Sequence, residues 1–415
     1  MRGVLFLAES FHPVLGGGEL HIRTLARALV ASGIPCTVLT RRSDASWPAA
    51  ESLHGIRVLR VGPAGSARRG KYLMVPAAFR AAWREALRHD VLVVRGTRVL
   101  GLPGLLAGRA AGCAVVMQPE VNGEMSGEVF TWGTPLDRPL PRRLVRGATR
   151  LRNLLLRDAD AFVAMSREIE RELRAAGVAP DRVAYSPHGV DTERFRPATP
   201  EERARLRQQL GWPAEALVIV YTGRLLRGKG LETLVDAFAA VATDHPRAGL
   251  VLVGSGAGQA LSVEDALRER VHAARLQDRV IFTGRLDDVS APLRAADVFV
   301  FPSLFEALGI SLVEAAACGL PCIGSRTGGI VDVIDDGRSG LLVRPGDVAE
   351  LEGALRALLA DPARRAALGA AARATACGRF DLRDSVDRYR FLFRELAARR
   401  PGAAALATGP GTPSR

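Results

Sequence analysis

Cysteine is scarce and unpatterned in this sequence: Cys36, Cys113, Cys318, Cys322 and Cys377 are an odd set with no Cys-x-x-Cys spacing. They lie mostly in apolar strand or helix contexts, which excludes a disulfide framework or a zinc site and implies reduced, buried thiols. Aromatic residues are also few. Four Trp and four Tyr scattered over 415 residues form no basic stripe interleaved with rings, which argues against nucleic-acid binding. No apolar stretch approaches the roughly 20 residues that a spanning helix requires. The opening Met1 to Glu9 carries one basic residue and an apolar run too short for a signal peptide, so it reads as a first strand. A cytoplasmic location is the simplest expectation. Seven His are too dispersed to suggest a metal site.

What is present is apolar material for two cores. A chain of 415 residues with 48% hydrophobic content suits two domains of roughly 200 residues each, of soluble α/β composition. Its net charge of +13 implies attraction to something negative, whether nucleic acid, anionic lipid or a nucleotide substrate. Short apolar runs alternate with longer helical patterns, which implies βαβ units. Strands are expected near Val4–Ala8, Cys36–Thr40, Ile56–Val61, Val91–Val94, Ala114–Gln118, Ala161–Ser166 and Val183–Ser186. A second set is expected near Leu217–Thr222, Gly249–Gly254, Val280–Thr283, Val298–Pro302, Cys322–Ser325 and Leu341–Val343. The fold class is therefore α/β, with two doubly wound Rossmann-like domains in tandem, 1–192 and 193–380. Their boundary lies where Pro and Gly interrupt the periodicity between Pro187 and Pro200. An amphipathic helix occupies 381–400, and the small, Pro/Gly-rich stretch 401–415 is expected to be disordered.

The most informative stretch is Phe301 to Pro321, in which Glu306 and Glu314 stand eight residues apart across a strand-to-helix junction. Ligands of open α/β sheets bind at such carboxyl ends. Were the interval helical, the acids would be about 12 Å apart along the axis, roughly the span of a sugar diphosphate. Ala307, Leu308, Gly309 and Ile310 would present N–H groups at a helix N-terminus, a setting that attracts anions. Arg224 and Lys229, just after the strand ending at Thr222, could face the same crevice, with Arg227 the solvated cation between them. In the first half, the run Gly16, Gly17 and Gly18 follows the first strand and opens a helix, so its backbone can approach a phosphate closely. The acids Asp158 and Asp160 fall at a helix-to-strand turn and read as structural.

The segment 301–321 resembles the Glu-x7-Glu signature of the retaining glycosyltransferases of family 4, which have the GT-B fold. Tyr221 to Leu234 resembles the family's strand, Gly-Arg turn and Lys-Gly helix start. Gly328 to Ile330 and Asp336 to Asp347 resemble its later loops, Pro187 to Asp191 its interdomain turn, and the similarity runs from about Val4 to about Leu392. The resemblance implies two domains with a cleft between them, the first on the acceptor side and the second binding a nucleotide sugar, closure across the hinge, and a C-terminal helix returning to the first domain. It implies that Arg224 and Lys229 neutralise the leaving diphosphate, that Glu306 touches donor-sugar hydroxyls, and that Glu314 binds the ribose. Donor binding would further involve Gly16, Gly17, Leu308, Gly309 and Ile310. No metal and no cofactor is expected. Front-face transfer and double displacement both stay open as routes to retention.

Three departures mark this chain. Many members carry a His after the strand corresponding to Ala114–Met117, whereas here Gln118, Glu120 and Asn122 are the candidates for donor-sugar contacts. Leu308 replaces a usual Phe, and Val331-Asp332 a usual Pro-Glu. A UDP-sugar is the first choice of donor, with GDP-mannose open and base selection expected around Gly284 to Asp288. The acceptor is an unidentified hydroxyl, such as that of a lipid-linked or cell-envelope glycan. The basic segment 142–157 has apolar and cationic residues at helical spacing, compatible with a packed helix or with peripheral contact at the inner face of a membrane. The rival reading is a non-catalytic sugar-nucleotide or glycan-binding protein on the same scaffold.

Overall fold

The structure is a computed structural model and describes residues 1–14, 16–65, 69–131, 138–259 and 261–399. The tail expected at 401–415 lies outside the described residues. The chain divides into two units, one of Met1–Pro187 together with the stretch from Ser385 onward, the other of His188–Asp384.

Unit 1 is built on an eight-stranded sheet: β1 (Val4–Leu7), β2 (Cys36–Arg41), β3 (Ala50–Leu53), β4 (Ile56–Val61), β5 (Val91–Arg95), β6 (Ala114–Gln118), β7 (Ala161–Ala164) and β8 (Val183–Tyr185), in the order β3-β4-β2-β1-β5-β6-β7-β8. The central strands are Val- and Leu-rich and buried along their whole length, as a parallel sheet covered by helices on both faces requires. The exception is β3, which pairs antiparallel with β4 at the edge. It falls in the segment 41–55, where the sequence shows no strand pattern. Its residues alternate only between exposed and half-buried, so no apolar run announces it. Strand order reverses on either side of β1, so the loops after β1 and β5 flank the switch point.

Unit 2 carries six parallel strands, β9 (Leu217–Thr222), β10 (Ala248–Val253), β11 (Val280–Gly284), β12 (Val298–Phe301), β13 (Cys322–Ser325) and β14 (Gly340–Val343), in the order β11-β10-β9-β12-β13-β14. Here the reversal lies between β9 and β12, and the loops that leave these two strands are the ones carrying Arg224, Lys229 and Glu306. The expected doubly wound architecture is present in each unit. Unit 2 is closed where the chain enters and leaves it: Val190 N donates to Phe380 O at 2.9 Å, Leu382 N to Val190 O at 2.9 Å, and Thr192 Oγ1 bonds the Asp381 carboxylate. The five cysteines are free thiols, four of them buried and Cys377 partly so. Among the described residues no helix is long and apolar enough to cross a membrane.

The helix Leu382–Ala398 presents Tyr389 and Phe393 to the core of unit 1, where both are buried. Tyr389 Oη receives a hydrogen bond from Gln118 Nε2 at 2.9 Å, and its ring lies 5.8 Å from that of His21. Burial pushes the Tyr389 phenol up to about 12, so it stays neutral and can serve as a hydrogen-bond partner throughout the working pH range. Replacing Tyr389 with Phe removes this bond and is expected to cost about 1 kcal/mol, while Tyr389→Ala also leaves a cavity and is expected to cost about 3–5 kcal/mol. Urea unfolding of the two variants checks the ordering, and equal stabilities would refute the anchoring role.

Candidate functional site

In unit 2 the loop after β9 must turn twice in left-handed conformations. Gly228 (φ +89°) and Gly230 (φ +66°) supply them, and the helix Leu231–Ala242 starts at once. A side chain is excluded at Gly230 for a second reason, because a Cβ there would lie 1.9 Å from the carbonyl oxygen of Pro302. Leu304 N donates to Gly228 O at 2.9 Å, so the β9 and β12 loops run in backbone contact. This contact brings Lys229 Nζ to 2.6 Å from Glu306 Oε2, a part-buried ion pair, with the ammonium 5.7 Å from the centroid of Phe301. On the other side, Gly329 N donates to Glu306 O at 3.1 Å, and a Cβ on Gly329 would meet Ala307 O at 2.3 Å. The Glu306 loop is thus held between the loops that follow β9 and β13.

The helix after this loop spans Ile310–Ala317, and Gly309 (φ +90°) is its N-cap. Two sequence expectations change here. The helix starts at Ile310, so Ala307 and Leu308 precede it and their N–H groups are not part of its first turn. The Leu308 side chain is buried. Glu306 lies in the loop, so helical rise does not set its distance from Glu314. What remains is a helix N-terminus whose first N–H groups, those of Ile310 and Ser311, have no carbonyl one turn earlier, and whose dipole favours an anion.

Glu314 is buried on the second turn of this helix. Burial raises its carboxyl to about 8, with Arg194 nearby lowering it and Asp288 raising it. Arg194 and Asp288 are themselves paired at 2.8 Å. At neutral pH Glu314 is therefore mostly a protonated acid able both to donate and to accept, which suits a hydroxyl pair better than a cation. The Arg224 guanidinium is exposed and, among the described residues, makes no ion pair or hydrogen bond. Its carbonyl accepts from Tyr221 Oη at 3.1 Å, which fixes the turn. Arg227 is exposed as expected. Sequence reasoning missed the crossing of Gly254 over Gly223, where a Cβ on Gly254 would lie 1.8 Å from Gly223 O. It ties the β10 loop to the β9 turn, and Gly254 N also donates to Gly284 O at 2.9 Å.

In unit 1, Gly16 caps the helix Gly17–Ala31, and a Cβ on Gly16 would meet Glu19 Oε2 at 2.4 Å. Of the three candidates after β6, Gln118 is fully buried, its amide nitrogen donating to Tyr389 Oη while its carbonyl oxygen has no hydrogen-bond partner among the described residues. Glu120 pairs with the buried Arg95 at 3.0 Å, and Asn122 lies half-buried on the same loop. The residue that organises this loop was not singled out beforehand. Glu124 is fully buried and accepts from Thr97 N (2.6 Å), Thr97 Oγ1 (2.8 Å), Glu120 N (3.0 Å) and Val121 N (3.2 Å), joining the β5 and β6 loops. Burial raises both Glu124 and Glu9, the latter faced by the cations Arg98, Lys71 and Arg41 and by Glu120. Asp158 and Asp160 are clamped by Arg109 at 3.0 and 3.3 Å, a structural use. Among the described residues no group of three or more His, Cys, Asp or Glu could hold a metal ion.

Comparison with known proteins gives two family matches: residues 15–194 to Glycosyltransferase Family 4, and residues 202–375 to Glycosyl transferases group 1. The D-inositol 3-phosphate glycosyltransferase of Acidothermus cellulolyticus is 32% identical over 413 residues, covering 94% of this chain and 88% of its own. A GDP-mannose-dependent monoacylated alpha-(1-6)-phosphatidylinositol monomannoside mannosyltransferase of Corynebacterium glutamicum is 37% identical over 226 residues, covering 52% of this chain and 57% of its own. Among solved structures, the sucrose-phosphate synthase of Thermosynechococcus elongatus superposes with a TM-score of 0.83 at 27% identity, over 96% of this chain and all of that one.

The raised Glu314 acid yields a pH prediction. Between its ordinary value of 4.5 and about 8, the native state keeps a proton that the unfolded chain has lost, so stability falls as pH rises through that window. Glu314→Gln is expected to flatten this slope. Urea unfolding at several pH values from 5 to about 8 checks it, and parallel slopes for the two proteins would contradict a buried neutral acid.

Proposed function

Because the chain belongs to glycosyltransferase family 4, and is a GT-B glycosyltransferase using a nucleotide-sugar donor, we propose that the loops after β9 and β12 of unit 2 form its donor-diphosphate site. The observation that carries this reading is the 2.6 Å pair of Lys229 and Glu306 beside the N-terminus of Ile310–Ala317. Without donor, the ammonium is neutralised by a carboxylate. An arriving diphosphate offers Lys229 a more highly charged partner, which releases Glu306 to accept from donor-sugar hydroxyls. The exposed Arg224 adds a second cation. As the bond between C1 of the sugar and the phosphate oxygen breaks, charge grows on the departing diphosphate, and Arg224, Lys229 and the helix N-terminus stabilise it without a metal or cofactor. Glu314, protonated at neutral pH, exchanges hydrogen bonds with the ribose hydroxyls. Retention follows if the acceptor oxygen enters on the face the phosphate leaves, its proton passing to a phosphate oxygen.

A UDP-sugar is the first donor to test. GDP-mannose is the second, supported by the name of the Corynebacterium relative. Unit 1 is proposed to hold the acceptor, with its Gly16–Gly17 helix start, Glu120 and Asn122 as candidate contacts. The cations Arg41, Lys71 and Arg98 around Glu9 suit an anionic acceptor, and a phosphorylated polyol fits both that chemistry and the names of the inositol 3-phosphate relatives. A lipid-linked or cell-envelope glycan phosphate presents the same group.

Incubation with UDP- and GDP-sugars, with and without inositol phosphate, tests the proposal by release of nucleoside diphosphate. Release with one donor is expected to persist in a chelator, and Lys229→Ala or Arg224→Ala to lower kcat by about 10²–10³. Turnover untouched by both substitutions, or abolished by chelation, would overturn the assignment.

A further inference from the structure

The helix Pro139–Leu156 of unit 1 contains no acidic residue, and its two long faces differ in kind. Thr149, Asn153 and Leu156 are buried, and the helix is fastened by Asn153 Nδ2 donating to Met125 O at 2.7 Å and Arg152 Nη2 to Glu124 O at 2.6 Å. The opposite face should be polar in a soluble surface helix. Instead Leu144, Leu151, Leu154 and Leu155 stand there 67%, 65%, 56% and 54% exposed, with Ala148 also exposed among them. Positions 144, 148, 151 and 155 follow helical spacing and form one continuous stripe, about 16 Å long from end to end. Arg143, Arg146 and Arg150, at the same spacing, border it and are exposed. Among the described residues Arg143 and Arg150 make no ion pair or hydrogen bond, and Arg146 has only Glu128 at 3.5 Å with both side chains about half exposed.

We propose that this face docks on the surface of an anionic lipid bilayer, with the leucines entering the headgroup boundary and the three arginines meeting lipid phosphates. An apolar stripe with a cationic border and no acid is the pattern of an in-plane interfacial helix. At about 16 Å the stripe is far too short to span the roughly 30 Å hydrocarbon core. A second copy of the chain is the poorer occupant. Self-pairing would set arginine borders together with no acid on the helix to meet them, and four leucines fall short of the roughly 800 Å² per partner of a standard interface. The inference is independent of the donor and acceptor assignments, since it concerns a face fixed by packing within unit 1.

Co-sedimentation of the full chain with vesicles of phosphatidylcholine, with or without about 30% phosphatidylglycerol, tests it, and three arginines near the surface are expected to favour the anionic vesicles by about 100-fold. Binding is expected to weaken at high salt. Leu151→Ser/Leu155→Ser should abolish it, and Arg143→Gln/Arg146→Gln/Arg150→Gln should remove the preference for phosphatidylglycerol, both with unchanged melting temperature and unchanged turnover on a soluble acceptor. Absence of binding by the wild type, or binding equal in the leucine variant, overturns the proposal. So does a wild-type dimer by light scattering that becomes a monomer in the leucine variant, which would make the face an interface between copies.

Discussion

Everything proposed for unit 2 depends on the absence of one methyl-sized group at Gly230. Its backbone runs so close to Pro302 that any Cβ would collide with the carbonyl oxygen, and that approach lets the short reach of Lys229 end on Glu306. The loops that meet there leave β9 and β12, the two strands between which the order of the sheet reverses. Open α/β sheets bind ligands at such a reversal of strand order. The chemistry here is a consequence of glycines: Gly228 and Gly230 turn the chain, Gly309 ends one loop and starts a helix, and Gly329 admits the loop that supports Glu306 from behind.

The acids of the protein divide by their surroundings, and the division matches the work proposed for them. Glu306 is partly exposed and paired with Lys229, a cation for which a more highly charged anion can compete. Glu314 is enclosed and holds its proton to about 8. Glu124, also enclosed, is spent on four hydrogen bonds that shape the loop carrying Glu120. A net charge of +13 reveals none of this, because total charge says nothing about which carboxyls are desolvated.

Much of this was legible in the chain. Apolar runs disclose the strands of both sheets because strands buried on both faces must be apolar throughout. β3 escaped because an edge strand with neither face buried has no such run. The spacing of Glu306 and Glu314, with Arg224 and Lys229 upstream, pointed to the loops in which Lys229 and Glu306 pair. What the sequence withheld were contacts between segments distant along the chain. Gln118 donates its amide nitrogen to Tyr389, 271 residues later, a contact that no local pattern shows. Leu308 was placed in the helix start by its neighbourhood, but Gly309, at φ +90°, ends the loop one residue later. Glu124 shows nothing of its four donors until the β5 and β6 loops are brought together.

The most direct measurement is a crystal structure of the full chain soaked with its donor nucleotide diphosphate. The account requires density for the diphosphate against the Lys229 ammonium, the Arg224 guanidinium and the first N–H groups of Ile310–Ala317, with Glu314 at the ribose and the Lys229–Glu306 pair opened. A diphosphate bound elsewhere, or one that leaves the 2.6 Å pair intact, would contradict it.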